Sequence, residues 1–206
     1  MSKVAIAYKG SFSSPLSLVE STIKNHKSMF LDYFEDIDFF FSTYNIGDTE
    51  LRDLYENHLG KIEWGYIDGS FMTASTWTAQ FEHHGNLARM IRNRETRYDL
   101  IVITRPDLHW LKSYNVVNID KSKFNIAIQH QSGNCDDNLF VFPQNYLDGF
   151  DKSINQLKNS GGITHALNHR LIENGVPIHY MQKYDESTFH TNSNLGQSIF
   201  TMCKYL

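Results

Sequence analysis

The chain has 206 residues at 23.9 kDa, a single-domain length by the prior of roughly 100 to 200 residues per domain, and a chain this long buries on the order of 70% of its unfolded surface without staples. Hydrophobic residues at 41% and aromatics at 14%, with 14 Phe and 11 Tyr, exclude disorder and low complexity. The 19 Lys and Arg against 23 Asp and Glu give a net charge of −4, which excludes a general electrostatic footprint for nucleic acid.

Two cysteines, Cys135 and Cys203, read as free thiols in a reducing compartment. The apolar opening over residues 4–8 is too short for a signal segment, and no apolar run approaches a membrane span. These features predict a soluble, cytoplasmic protein, with monomer as the default oligomeric state.

The opening KVAIAY predicts a strand, broken by residues 9–15 before a helical stripe at Leu16, Val19, Ile23, Phe30 and Phe34. Ser14 is the expected N-cap, with Pro15 at the first helical position. A second strand starts at Ile37, where a run of three Phe suits burial on both faces of a parallel sheet. Residues 49–59 read as a weak helix and KIEWGYI as a short strand.

From Thr73 to about Arg97 the apolar residues Trp77, Phe81, Leu87, Ala88 and Ile91 share a helical face. Arg89, Arg92, Arg94 and Arg97 crowd its C-terminal half, where cations complement the macrodipole. A strand over residues 100–103 then runs into a polar turn. FNIAIQ and NLFVFP read as further strands, and residues 146–174 as helix-rich, stopped by Gly175 and Pro177. Residues 178–181 predict a last strand, with a polar loop and a short helical end beyond.

Strand and helix alternate in the first half, which implies parallel pairing with right-handed crossovers, whereas later strands lie close enough to pair otherwise. The predicted class is α/β, with a mixed, mostly parallel central sheet flanked by helices and a Rossmann-like N-terminal half.

In such sheets ligands bind beyond the carboxyl ends of the strands, which directs attention to three loops. The first carries Tyr8, Lys9, Gly10 and Ser11, without a dinucleotide or P-loop fingerprint. The second carries Ser42, Thr43, Tyr44 and Asn45, whose aromatic face suits stacking on a base. The third is Thr104-Arg105-Pro106-Asp107-Leu108-His109-Trp110. Arg105 and Asp107 are either a salt bridge capping the sheet or part of a site, because unpaired charges there are costly. Asp107 and His109 alternate by two and offer an oxygen and a nitrogen ligand to a borderline divalent ion such as Mn²⁺.

These residues carry a resemblance. A short strand ending in an Asp-x-Asp-type turn after a Rossmann-like half resembles the GT-A nucleotide-sugar glycosyltransferases. More narrowly, Gly10-Ser11-Phe12, residues 38–44, and Tyr98-Asp99-Leu100 leading to Arg105-Pro106-Asp107-Leu108 resemble small glycosyltransferases with an R-x-D-L turn. Such enzymes occur in bacterial surface-polysaccharide clusters and in large algal (chlorella) viruses that glycosylate their capsid protein. The resemblance covers residues 3 to about 142, and His109 stands where the second Asp would be.

The resemblance implies one glycosyltransferase domain over residues 1–206, with a nucleotide-sugar side to about 110 and an acceptor side beyond. It implies a metal-dependent hexosyltransferase taking a UDP-sugar to a glycan or glycoprotein, in the host cytoplasm if viral. Tyr8, Lys9, Gly10, Ser11, Thr43, Tyr44, Arg89 and Arg105 would bind the donor, and Mn²⁺ (or Mg²⁺) would sit at Asp107 with His109 and His190. If the enzyme inverts, Asp137, then Asp136, would deprotonate the acceptor. Outside that context Asp136 and Asp137 read as a solvated turn.

His165 and His169, spaced i, i+4 without H-E-x-x-H, read as surface or core histidines. Trp64, Tyr66, Phe71 and Trp110 are either core or an acceptor platform, Trp110 being the one to test. A metal-dependent phosphohydrolase or nucleotidyltransferase, and a non-catalytic nucleotide- or carbohydrate-binding module, are the alternative functions.

Overall fold

A computed structural model describes residues 3–10, 15–29, 31–44, 49–72, 76–129, 133–183 and 200–202. Strands β1 (Lys3–Lys9), β2 (Asp36–Thr43), β3 (Ile62–Tyr66) and β4 (Leu100–Thr104) are joined by helices α1 (Leu16–Met29), α2 (Thr49–Leu59) and α3 (Thr76–Arg92). There follow β5 (Leu108–Trp110), β6 (Phe124–Gln129), β7 (Leu139–Phe142), α4 (Leu147–Asn159), α5 (Leu167–Glu173), β8 (Ile178–Lys183) and β9 (Phe200–Met202).

A seven-stranded sheet has the order β3-β2-β1-β4-β7-β6-β8. Within it only β7 opposes its neighbours, pairing antiparallel with both β4 and β6. The mixed, mostly parallel α/β sheet expected from the sequence is therefore the one formed.

Alternation along each strand divides the core. Val4, Ile6 and Tyr8 of β1, Phe39 and Phe41 of β2, and Leu100 and Val102 of β4 pack on one face with Val19 and Ile23 of α1 and Leu51 and Tyr55 of α2. Ala5, Ala7, Phe40, Ile101 and Ile103 face the other way, against α3, α4 and α5. The Phe run of β2 is thus buried from both sides, as a central parallel strand requires. Each fully buried Phe contributes roughly 1.5–3 kcal/mol relative to exposure.

The chain builds β1, β2 and β3 outward, then returns through α3 on the opposite face to set β4 beside β1. The strand order therefore reverses between β1 and β4, and a crevice opens there beyond the strands' carboxyl ends. Because β7 runs backward beside β4, its first residue, Leu139, pairs with Thr104 at that same end. The loop before β7 is thereby carried into the crevice.

Two local expectations are corrected. Residues 108–110 form a strand rather than a polar turn, and residues 200–202 pair with it antiparallel, where a helical end was expected. Each has three residues and its partner lies some ninety positions away, so neither leaves a periodic signal in the sequence. Trp110, open in the sequence between core and acceptor platform, is a core residue, 2% exposed, standing edge-on to the His26 ring. Pro15 stands one place earlier than expected: α1 begins at Leu16, and the Pro15 carbonyl accepts from Leu18 N and Val19 N as the N-cap residue does, while Ser14 lies outside the described residues.

Candidate active site

The last residue of β1 is Lys9, only 3% exposed. Its ammonium lies 3.2 Å from His84 Nε2 and 3.4 Å from Gln80 Oε1, both on α3, and 3.9 Å from Asp137 Oδ2. Burial pulls the lysine pKa down and Asp137 pushes it back up, with Arg105 and Asp107 also within electrostatic reach. His84, held well below the usual imidazole range by burial and by Lys9, stays neutral, so Nε2 keeps a lone pair for the ammonium.

Across the β1/β4 gap Arg105 leaves the end of β4 and doubles back on Asp107. Its Nε and Nη2 donate to the two carboxylate oxygens at 2.8 and 2.7 Å. Burial opposes the charge of Arg105, and the Asp107 fork outweighs it and raises its pKa. Of the five guanidinium N–H donors, two are spent on Asp107, and the side chain is 29% exposed.

From the other side come Asp136 and Asp137, 3% and 4% exposed. They are not a solvated turn. Asp136 accepts from Asn138 N at 3.0 Å and Asn138 Nδ2 at 2.6 Å. Burial and the neighbouring Asp137 charge push its pKa up to about 6. Asp137 accepts from Thr164 Oγ1 at 2.8 Å and faces His165 Nε2 at 3.5 Å. Burial alone would raise Asp137, but Lys9, His165 and Thr164 outweigh it and hold the carboxyl far below its usual range.

On the β2 side, Gly10 has φ +105°, and its N–H donates to Ser42 O at 3.0 Å, tying the ends of β1 and β2. Among the described residues a Cβ there would meet no neighbouring atom, and the positive φ is what demands glycine. Ser42 Oγ accepts from Asn86 Nδ2 and lies against His83 Nδ1, each at 3.0 Å. His83 is buried and its Nε2 has no partner among the described residues; burial, aided by Lys9, lowers its pKa to about 4. The Tyr44 ring lies 5.3 Å from the His83 ring and is half-buried, so one aromatic surface borders the crevice.

The sequence-predicted residues divide accordingly. Lys9, Arg105, Asp107, Asp136 and Asp137 converge, with Gly10 and Tyr44 on the adjoining loops. Tyr8 does not join them: it is 1% exposed, its ring stacked on His26, with its hydroxyl 3.2 Å from His26 Nδ1. Its side chain alternates to the α1/α2 face, away from Lys9. Thr43 is buried, and its carbonyl is occupied by Ile67 N. Arg89 is exposed in the last turn of α3, beyond the Gln80 and His84 positions that meet Lys9. Ser11 and His190 lie outside the described residues.

Both oxygens of Asp107 are occupied by Arg105, and among the described residues no three His, Cys, Asp or Glu side chains converge as a metal cage. His109 Nδ1 is buried without a partner among the described residues, yet supplies at most one further ligand. These residues do not fit a metal ion as they stand.

Gln80, His84, Thr164 and His165 are the site residues that sequence reading missed. An H-H pair at 83–84, mid-helix and on the core-facing side, was the available signal. Thr164 and His165 arrive through the packing of a 3-10 turn, Thr164–Ala166, which no local pattern reveals.

No family model matches the chain, and no curated protein sequence matches it. Among solved structures it is similar to a candidate nucleotide-diphospho-sugar transferase from Desulfovibrio desulfuricans G20, with 11% identity and TM-score 0.56 over 89% of this chain and 81% of that one. It is also similar to the galactosyltransferase LgtC in complex with donor and acceptor sugar analogues, with 8% identity and TM-score 0.51 over 86% of this chain and 72% of that one. An active-site mutant of LgtC gives 9% identity at the same TM-score, 0.51, and the same coverage, 86% and 72%. The fold is GT-A-like, and its structural neighbours are nucleotide-diphospho-sugar transferases.

Proposed function

We propose that this chain is a glycosyltransferase that takes a sugar from a UDP-sugar to a hydroxyl of a glycan or glycoprotein. The observation that carries the reading is the convergence of two cations, Lys9 and Arg105, with two buried carboxylates, Asp136 and Asp137, at the β1/β4 switch point of a GT-A-like fold. A nucleoside diphosphate leaving group gathers negative charge as the glycosidic bond breaks, and fixed cations in a poorly solvated crevice stabilise it. Arg105, fixed in orientation by Asp107, offers its remaining donors to phosphate oxygens. Lys9 acts from beneath, by its field rather than by contact. Tyr44 provides the face for the base, and Asp137 is the carboxylate on which acceptor deprotonation depends.

The narrower likeness to the enzymes of large algal viruses rests on the sequence motifs, and it supports a protein-linked glycan as acceptor. The hexosyl class of the donor sugar belongs to the same proposal.

Calorimetric titration of UDP, GDP and CMP into wild type, Arg105→Met and Asp107→Ala, each with and without Mn²⁺, tests the reading. UDP binds wild type, and Arg105→Met weakens it at least about tenfold, the loss of roughly 1.5–3 kcal/mol expected for a charge-assisted hydrogen bond. Tightening by Mn²⁺ that Asp107→Ala abolishes would put an ion at Asp107; binding indifferent to Mn²⁺ leaves the phosphate charge to Arg105 and Lys9. No binding of any nucleotide to wild type overturns the proposal.

A further inference from the structure

Asp137 is poorly placed to take a proton from an acceptor itself. Its carboxylate is walled in, with Oδ2 against Thr164 Oγ1 and Lys9 Nζ and Oδ1 against His165 Nε2. A general base must come within about 2.6–3.2 Å of the proton it removes, and its basicity must suit the working pH. Asp137 meets neither condition.

His165 differs in both respects. Its side chain is 34% exposed while Asp137 behind it is 5% exposed. Its backbone is fixed, for His165 O accepts from Cys135 N at 2.7 Å, on the segment that carries Asp136 and Asp137. Its ring is fixed as well: Trp77 of α3 stands against it at 4.9 Å between centroids and 74° between planes. With Nε2 turned to Asp137, that nitrogen carries the hydrogen and Nδ1 the lone pair.

We propose that His165 is the general base of the transfer and that Asp137 is its positioning residue. This rests on the glycosyltransferase reading above. In the step, the acceptor oxygen bonds to the anomeric carbon, and the bond from that carbon to the diphosphate oxygen breaks, its electron pair leaving with the nucleoside diphosphate. The acceptor proton passes to His165 Nδ1, Nε2–H remains donated to Asp137, and the exposed imidazolium returns the proton to water.

The groups facing His165 set its titration. The hydrogen bond and charge of Asp137 raise it, with a further push from Asp136, while burial and Lys9 oppose. The Cys135 thiol, pushed up to about 12 mainly by burial, stays uncharged there. Activity therefore rises with pH along a limb above the ordinary imidazole range, since only the neutral ring accepts the proton. Asp137→Asn removes the anion that favours the imidazolium and shifts that limb to lower pH, while lowering the rate.

The test uses UDP-glucose and UDP-galactose as donors, methyl glycosides of glucose and galactose as acceptors, and release of UDP as the readout. In His165→Ala, UDP binds as in wild type, turnover falls by about 10²–10⁴-fold, the usual share of a general base, and added imidazole restores part of it. His165→Gln, which keeps the side-chain bulk, shows the same loss and no pH limb. Turnover of His165→Ala within about threefold of wild type overturns the assignment of the base alone. So does a loss that imidazole leaves unrelieved while the pH limb persists in His165→Gln. A wild type that binds no UDP and releases none from either donor removes the transferase reading, and this assignment with it.

Discussion

Lys9 and Asp137 form a buried ion pair whose two halves depend on each other. A charge left without its partner in such a place costs about 3–5 kcal/mol. Lys9→Met should therefore lower unfolding stability at pH 7 by about that amount, measured in urea. The deficit depends on pH. Without Lys9, the folded pKa of Asp137 rises from its depressed value, with His165 and Thr164 still opposing burial, so the lost stability is seen above the unfolded value of about 3.9 and fades as pH falls and the carboxyl protonates in both states. In wild type the folded pKa of Asp137 is depressed, so its contribution persists until strong acid. Adding Asp137→Asn to Lys9→Met should recover part of the loss. Strict additivity of the two substitutions would mean that the 3.9 Å pair carries no coupling.

At the scale of elements, the turn bearing Arg105 and Asp107 is held from behind. Asn25 of α1 donates from Nδ2 to Trp110 O at 3.0 Å and accepts from Trp110 N at 2.6 Å, so one side chain joins α1 to β5 at both ends. Asn25→Ala removes two hydrogen bonds and should lower stability by about 2 kcal/mol at roughly 1 kcal/mol each. Because β5 begins directly after Asp107, the same variant should bind UDP several-fold more weakly; a stability loss with an unchanged Kd would show that the Arg105 fork holds the turn alone. This clamp also marks where sequence reading stops. β1, β2, β4, β6 and β7 were legible because each is a run of β-branched, aromatic or aliphatic residues long enough to show, and their order exposed the crevice with Lys9, Arg105 and Asp107 in it. Asp136 and Asp137 were legible as a pair but not as buried groups, since a polar pentapeptide before a strand reads as solvated. The backward run of β7 carries them to the crevice, where Lys9, Thr164 and His165 enclose Asp137. β5, β9, Thr164 and His165 owe their places to contacts between distant segments, which no window of sequence contains.

For the whole molecule, the relevant balance is between a net charge of −4 and an anionic donor. The general field repels the nucleotide weakly, and the cations at the β1/β4 gap attract it at short range, so affinity should vary little with salt compared with a basic surface groove. The crevice exists only when both faces of the sheet are packed, because α1 and α2 cover one face of β1, β2 and β4 while α3, α4 and α5 cover the other. A ligand that reads this crevice binds the folded chain and not the unfolded one. At one hundred times its Kd, UDP should therefore raise unfolding stability by about 2.7 kcal/mol, which for a chain of this size is a shift of about 5–10 °C in Tm. Thermal melts with UDP, GDP and CMP at matched concentrations check this. The shift should be largest with UDP and cut to about half or less in Arg105→Met, whose affinity is at least about tenfold lower. Equal shifts from all three nucleotides would place recognition in the phosphates alone and deny Tyr44 and the β2 loop a role in reading the base.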